Sequence, residues 1–362
     1  MKARADMFDL ILRSLGTLYL WAHRRTYSRR LATQTVFEQL YVVSVGNLSA
    51  GGTGKTPVAL ALAGHLRERD VATLAVLRGY GGSASKSKAR SGTDGGLLVS
   101  DGSRRLASVE AAGDEALLFA RSSGLRVAVG RDRVSAILNF AGDARVVLLD
   151  DAFQNPLVGR DHELVLLDAL VSVDRMRVFP GGRFRDPPEA LSRADTILLT
   201  RVDLAPAGQL AALERLVREV APGVPVFRGR HKPAKLAIGA LEGSGESRVG
   251  AFCGLGNPAG FFASVAAAPN QFKPVVTRAF PDHHPYRLAD IRGLFREADR
   301  SGHSDLPFVT SAKDFVRLEA VPDLPPEFRS RIHVLEIEFE VLEDRGAEFY
   351  ERVLGPALDS RD

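Results

Sequence analysis

Two textures of apolar residues alternate along this chain. Six short runs, 42–45, 73–77, 126–129, 146–149, 164–167 and 196–199, are rich in Val, Ile and Leu with few polar interruptions. Continuous apolar runs of this length suit strands buried on both faces. Stretches with helical spacing lie between several of them, such as 57–69 and 208–220. Together they predict an α/β fold whose parallel sheet is covered by helices on both sides. A compositional break follows Pro225. Residues 226–250 hold short strand-like pieces and the polar run Glu242-Gly-Ser-Gly-Glu-Ser247, which reads as an interdomain connection. Residues 251–362 then form a smaller α/β unit, with strands expected near 250–253, 275–279, 308–310 and 333–338. Its last helix is expected to be able to pack back on the first domain. The first domain occupies 31–225, and residues 81–96 are too rich in Gly and Ser to pack, which predicts a loop ending in a weak hairpin. No internal repeat or heptad seam interrupts this plan.

The N-terminal segment has a different texture. Phe8, Ile11, Leu12, Leu15, Leu18, Tyr19 and Ala22 recur at spacings of three and four, so residues 6–30 read as one amphipathic helix. Trp21 and Tyr19 sit just before Arg24, Arg25, Arg29 and Arg30. Aromatic rings beside arginines suit the headgroup level of an anionic membrane surface; packing on the protein's own domain is the other reading. Charge sharpens the picture. The 48 basic and 44 acidic residues leave +4, but residues 1–30 carry seven basic side chains and two acids, hence +5, and the other 332 residues sum to −1. A neutral body with a basic arm does not suit nucleic acid. No 18-residue uncharged apolar stretch is present, and Asp9 and Arg13 interrupt the apolar stretch where a signal peptide would need it clean. The expected place of work is therefore the cytoplasm. A single cysteine, Cys253, leaves no disulfide framework or multi-cysteine metal site and reads as a buried small side chain.

The candidate chemistry begins at Ser49-Ala50-Gly51-Gly52-Thr53-Gly54-Lys55-Thr56, which follows the apolar run 42–45 and precedes a helix opened by Pro57. Strand, glycine-rich loop and helix are the context of a phosphate-binding loop. The glycines let backbone N–H groups face phosphate oxygens, Lys55 would reach the β- and γ-phosphates, and the Thr56 hydroxyl would hold Mg²⁺. Ser49 replaces the usual first glycine, and Ala50 stands where dimerising partition-type ATPases carry a second lysine. The run 146–149 ends in Asp150 and Asp151, at the place where a P-loop enzyme keeps its metal-side carboxylate. Asp150 best fits the Mg²⁺ shell, with Asp151 as a second metal or orienting group. Thr200-Arg-Val-Asp203 partly matches a guanine-reading TKxD signature, which keeps a P-loop GTPase or GTP-dependent chaperone as an alternative. Gly254-Leu-Gly256-Asn-Pro-Ala-Gly260 is one residue too long for a dinucleotide fingerprint.

The acceptor must be read elsewhere. Asp114 and Glu115 open a helical stretch, where Asp114 could accept a hydroxyl proton or simply favour a helix N-terminus. His283 and His284 form the adjacent pair in a loop after a strand. Arg183 and Arg185 follow Pro180-Gly-Gly182 and could clamp phosphate, as could Arg131 and Arg133. In order along the chain, SVGNLSAGGTGKTP (44–57), LRGYG (77–81), GDEALL (113–118), LLDDAFQ (148–154), PGGRFRDP (180–187), GLGNPAGFF (254–262), FPDHHPY (280–286) and TSAKDFVRL (310–318) resemble the tetraacyldisaccharide 4′-kinase family of Gram-negative bacteria. The resemblance implies a P-loop domain and a smaller α/β domain joined by a two-stranded connection. It implies ATP and Mg²⁺ as cofactors and an acylated glucosamine disaccharide 1-phosphate as acceptor, at the cytoplasmic face of the inner membrane. It also implies Asp114 as the catalytic acid–base, His283 as its partner ahead of His284, and functional roles for Lys55, Asp150, Asp151 and Arg185. Because His283 lies in the second domain, the pair is expected to meet only when the two domains close. Asp186 stands where the family more often has Glu, and TSAKD lacks the family's acid before Lys313.

Overall fold

The computed structural model describes residues 2–49, 52–85, 95–122, 124–234, 247–268 and 272–359. Most of the Gly- and Ser-rich stretch, residues 235–246 of the expected connection, and Ala50 and Gly51 of the phosphate loop therefore lie outside the described residues. The chain opens with α1 (Lys2–Leu31), β1 (Tyr41–Asn47), α2 (Lys55–Arg67), β2 (Thr73–Leu77) and β3 (Leu97–Asp101). It continues with α3 (Val109–Ala112), α4 (Asp114–Ala120), β4 (Arg126–Val129), α5 (Arg133–Phe140), β5 (Val146–Asp150) and β6 (His162–Asp168). Then come β7 (Thr196–Thr200), α6 (Ala207–Val220), β8 (Val226–Pro233), β9 (Ser247–Cys253), α7 (Pro258–Ala266) and β10 (Phe272–Ala279). The last part holds α8 (Leu288–Arg300), β11 (Phe308–Ser311), α9 (Ala312–Leu318), α10 (Pro326–Arg329), β12 (Ile332–Leu335), β13 (Ile337–Val341) and α11 (Gly346–Asp359).

Two sheets organise these elements. The larger runs β13-β8-β7-β6-β1-β5-β2-β4-β3 and the smaller β10-β9-β11-β12. The smaller sheet is all parallel, and the larger is parallel except for its edges, where β3 lies antiparallel to β4 and β13 antiparallel to β8. The six apolar runs are six of the seven inner strands, β1, β2, β4, β5, β6 and β7. Their side chains are buried on both faces because helices cover both, which is why the runs do not alternate with polar residues. Strands β1 and β5 are neighbours in register, with Val45 beside Asp150. The loop after β1 and the acids ending β5 thus emerge side by side at the carboxyl edge, where open α/β sheets bind ligands.

The run 333–338, expected as one strand, is two. Residues through Leu335 belong to the smaller sheet, and from Ile337 onward the chain pairs with β8 in the larger one. Helix α11 then buries Phe349, Val353, Leu354 and Ala357 in the core beneath β1 and α2. The segment read as a connection contributes β8 as a full strand of the larger sheet, next to β7. The smaller sheet is thus carried on an excursion between two adjacent strands. Its helix α9 packs on α4 through Val316 and through Arg121, whose guanidinium lies 4.9 Å from the Phe315 ring.

Helix α1 divides its residues between two surroundings. Tyr19 donates to the Arg185 carbonyl at 3.2 Å, His23 Nε2 meets Asp186 at 3.1 Å, and the Tyr27 ring lies under Arg193 at 4.4 Å. That stripe packs on the large domain. Leu15, Leu18 and Trp21 are 46%, 60% and 59% exposed on another face, with Arg25 over the Trp21 ring.

Candidate active site

The nucleotide end is built on the loop after β1. Gly54 has φ +82°, and a Cβ there would collide with the His231 imidazole, so glycine is required by both backbone and neighbour. His231 reaches the Gly54 carbonyl at 3.3 Å, and burial lowers its pKa to about 4. Thr200 Oγ1 donates to the Thr53 carbonyl at 3.0 Å, Arg201 to the Gly52 carbonyl at 2.8 Å, and Asn47 Nδ2 to Thr53 Oγ1 at 3.0 Å. The carbonyls of Gly52, Thr53 and Gly54 are thereby occupied, and α2 starts directly after them at Lys55, where a helix N-terminus favours an anion.

Cations meet at Asp151. Arg185 holds both its carboxylate oxygens at 2.7 and 3.0 Å, and Lys55 Nζ lies 3.3 Å away. Burial would raise the Asp151 carboxyl, but Arg185 and Lys55 hold it well below the usual range. Its backbone takes a left-handed φ of 50°, a conformation costing of order 1–3 kcal/mol that surrounding contacts must hold. Arg185 also donates to Asn47 Oδ1 at 2.8 Å and to the Ser49 carbonyl at 3.2 Å, which ties the segment 180–187 to the phosphate loop. Arg133 is buried and spends its guanidinium on the carbonyls of Asp150 and Asp151, at 2.7 and 3.0 Å. It braces the acidic turn from behind. Arg131 and Arg183 are exposed.

Asp150 is the unusual acid. It is buried, its Oδ1 has no hydrogen-bond partner, and burial pushes its pKa up to about 7. An orphaned hard oxygen donor at the end of β5 fits a Mg²⁺ ion, which keeps most of its shell for water and phosphate oxygens. Among the described residues no cluster of three or more His, Cys, Asp or Glu forms an all-protein metal cage.

The acceptor end spans both domains. Gly113, at φ +85°, lets the chain turn tightly against the Tyr80 carbonyl and start α4 with Asp114. Asp114 Oδ2 lies 3.1 Å from His283 Nδ1, in the small domain. The pair expected to meet on domain closure is therefore already in contact. Arg317 of α9 completes it: the guanidinium bonds Asp114 Oδ2 directly and lies 3.0 Å from His283 Nδ1. Burial would raise the Asp114 carboxyl, but Arg317, Lys313 and His283 hold it below the usual carboxylate value. Arg317 is itself fixed by Asp314 Oδ1 at 3.0 Å and the Gly254 carbonyl at 3.2 Å. Beside this triad Lys313 donates to Glu115 at 2.6 Å. His283 has a left-handed φ of 57° and a side chain 62% exposed to the cleft. His284 turns away, stacked on Phe280 at 4.7 Å and bonded to Asp290 at 3.1 Å. The two histidines are thus separated by geometry where the sequence left them adjacent. Charges on Glu115 and Asp150 influence one another, as do those on Lys313 and Asp150, so the two ends lie near each other.

The family model for tetraacyldisaccharide-1-P 4′-kinase matches residues 8–354. The chain belongs to that family. It is 38% identical over 328 residues to the tetraacyldisaccharide 4′-kinase of Anaeromyxobacter sp. strain K, covering 88% of this chain and 82% of that one. It is 39% identical over 312 residues to the kinase of the same name from Methylobacterium nodulans, covering 86% and 83%. Among solved structures it resembles LpxK from Aquifex aeolicus, determined in complex with ATP, at TM-score 0.68 and 25% identity over 96% of this chain and 99% of that one. For this tetraacyldisaccharide 4′-kinase family member, Arg317, Asn47 and His231 are the site residues that sequence reasoning did not single out. Arg317 carried one usable signal: it stands one helical turn after Asp314 in the quoted TSAKDFVRL motif.

Proposed function

We propose that this protein transfers the γ-phosphate of ATP to the 4′-hydroxyl of a tetraacyl glucosamine disaccharide 1-phosphate, at the cytoplasmic face of the inner membrane, in lipid A biosynthesis. The observation that carries this reading is the Asp114–His283–Arg317 cluster, whose neighbours Glu115 and Lys313 stand close enough to Asp150 for their charges to act on it. Such transfer needs mainly positioning and neutralised charge. Lys55 and the loop's N–H groups would hold the β- and γ-phosphates, and Arg185 with Asp151 would fix Lys55 and the loop relative to them. Thr56 and Asp150 would hold Mg²⁺, which supplies charge neutralisation on the phosphates. The sugar hydroxyl oxygen bonds to the γ-phosphorus as the bond to the β–γ bridging oxygen breaks, and the hydroxyl proton passes to Asp114. A carboxylate held at low pKa is a weak base, which suits a loose transition state in which the hydroxyl loses its proton late. His283 would orient that carboxylate and the incoming hydroxyl.

The membrane contact rests on α1. Among the described residues no helix is long and apolar enough to cross a membrane. The exposed Leu15, Leu18 and Trp21, with Arg24 and Arg25 alongside, offer apolar and cationic groups to an anionic leaflet. The other stripe of the same helix touches Arg185 and Asp186, so a surface-bound helix would bring the cleft to the lipid's sugars.

The deciding experiment combines γ-labelled ATP, Mg²⁺ and a panel of acylated glucosamine disaccharides. Label in the lipid fraction, dependent on the 1-phosphate acceptor, is expected; label released only as free phosphate would refute the kinase reading. Co-sedimentation with vesicles of phosphatidylglycerol is expected to fall in Leu18→Glu/Trp21→Glu and to be weak with phosphatidylcholine alone.

A further inference from the structure

The corner after β7 has an arrangement that phosphate transfer does not use. Thr200 bonds the Thr53 carbonyl and Arg201 bonds the Gly52 carbonyl, so two consecutive residues grip the back of the phosphate loop. Arg201 takes a left-handed φ of 57° and also binds the Asp168 carboxylate. Both bonds use the same nitrogen, Nη2, which pins the tip of the side chain between the loop and β6. Two residues on, Asp203 stands exposed in the short turn Val202–Leu204. Arg230, close enough to feel its charge, is committed to Glu340 at 2.8 Å. Asp203 follows by two residues the arginine that bonds Gly52, which sets its turn beside the phosphate loop, and its charge acts on His231, whose ring rests on Gly54.

Topology says which part of a nucleotide would come here. The γ-phosphate end is defined by Lys55, Asp150 and Asp151, on the β5 side of β1. A nucleotide held with its γ-phosphate there would extend its ribose and base toward the opposite side of β1, where β6, β7 and β8 follow in the sheet. A carboxylate has two acceptor oxygens and no donor. Guanine presents two adjacent donors, N1–H and the 2-amino group, whereas adenine presents no such pair on that edge.

The geometry points to Asp203 as a base-reading residue that makes this kinase accept guanine nucleotides as phosphate donors alongside ATP. This rests on the nucleotide half of the proposed function and deepens it; it does not turn the protein into a GTPase. Hydrogen bonds to a charged acceptor correspond to roughly 10–100-fold in affinity.

The test is displacement of mant-ATP from the full-length protein in Mg²⁺ by GTP, ITP and XTP, which reads the base without the lipid. GTP is expected to displace about 10–100 times better than ITP, which lacks the 2-amino group. In Asp203→Asn the amide can donate to the xanthine 2-oxygen, so the GTP-to-XTP ratio is expected to fall by a similar factor. Equal displacement by GTP and ITP from the unaltered protein overturns the proposal, and that comparison needs no variant. An unmoved GTP-to-XTP ratio in a variant that still binds mant-ATP overturns it equally. If GTP outcompetes ITP as expected while no nucleotide phosphorylates the disaccharide, the base site stands and the acceptor reading alone fails.

Discussion

The two ends of the cleft are built on opposite principles. At the nucleotide end every contact comes from the large domain: Lys55, Arg185, Asp151, Asn47 and Arg133 lock one another before any ligand arrives. At the acceptor end the carboxylate belongs to the large domain, while the groups that set its charge, Arg317, Lys313 and His283, belong to the small one. A rigid cradle suits a ligand that always presents the same phosphates. A base whose ionisation is supplied by another domain is fully armed only when that domain is in place, which links domain position to chemistry.

The sharpest way to break the comparison is Asp114→Ala. It is expected to lower kcat by roughly 10³-fold, within the range for losing an acid–base group, while mant-ATP affinity changes by less than about threefold. A parallel loss of nucleotide binding would show that the two ends are not separable. Arg317→Leu comes next, with kcat at neutral pH reduced by roughly 10–100-fold as the acceptor carboxylate loses its fixed partner. Its diagnostic is the pH profile. With Arg317 gone, burial is less opposed and the Asp114 carboxyl rises, so it binds its proton at higher pH. Activity should therefore be lost at a higher pH on the acid side than in the unaltered protein, and Arg317→Lys should restore most of the shift.

Gly54→Ala probes the other end. A Cβ in the left-handed region, pressed on His231, should weaken mant-ATP binding by about tenfold and cost roughly 1–3 kcal/mol of stability in urea unfolding. The smallest effect serves as the control. Gly64→Ala in α2 meets nothing within 4 Å and should raise stability by about 0.5–1 kcal/mol without altering turnover.

Much of the frame was legible because buried parallel strands write themselves as unbroken apolar runs, and because a phosphate loop needs its glycines and lysine in sequence. Three pieces were not. Strand β8 carries Arg230, His231 and Lys232 before its last residue, Pro233, since it lies near an edge and only part of its surface is covered, and polar strands of that kind read as linker. The run through β12 and β13 keeps one texture while changing sheets at Glu336, and periodicity carries no record of which sheet a strand joins. The pairing of Asp114 with His283 spans 169 positions, and Arg317 stands 203 from Asp114. Family resemblance supplied the first pairing; for the second, the place of Arg317 one turn after Asp314 marked the residue but not its partner across the domains.

The return of the chain through β13 and α11 has a consequence for how the molecule is made. The strand that carries the phosphate loop is backed by Phe349, Val353 and Leu354, within the last 14-residue helix. A ribosome delivers those side chains only after β9 to β12. The inserted unit is complete before them, so it can mature on the nascent chain while the larger domain still waits for α11.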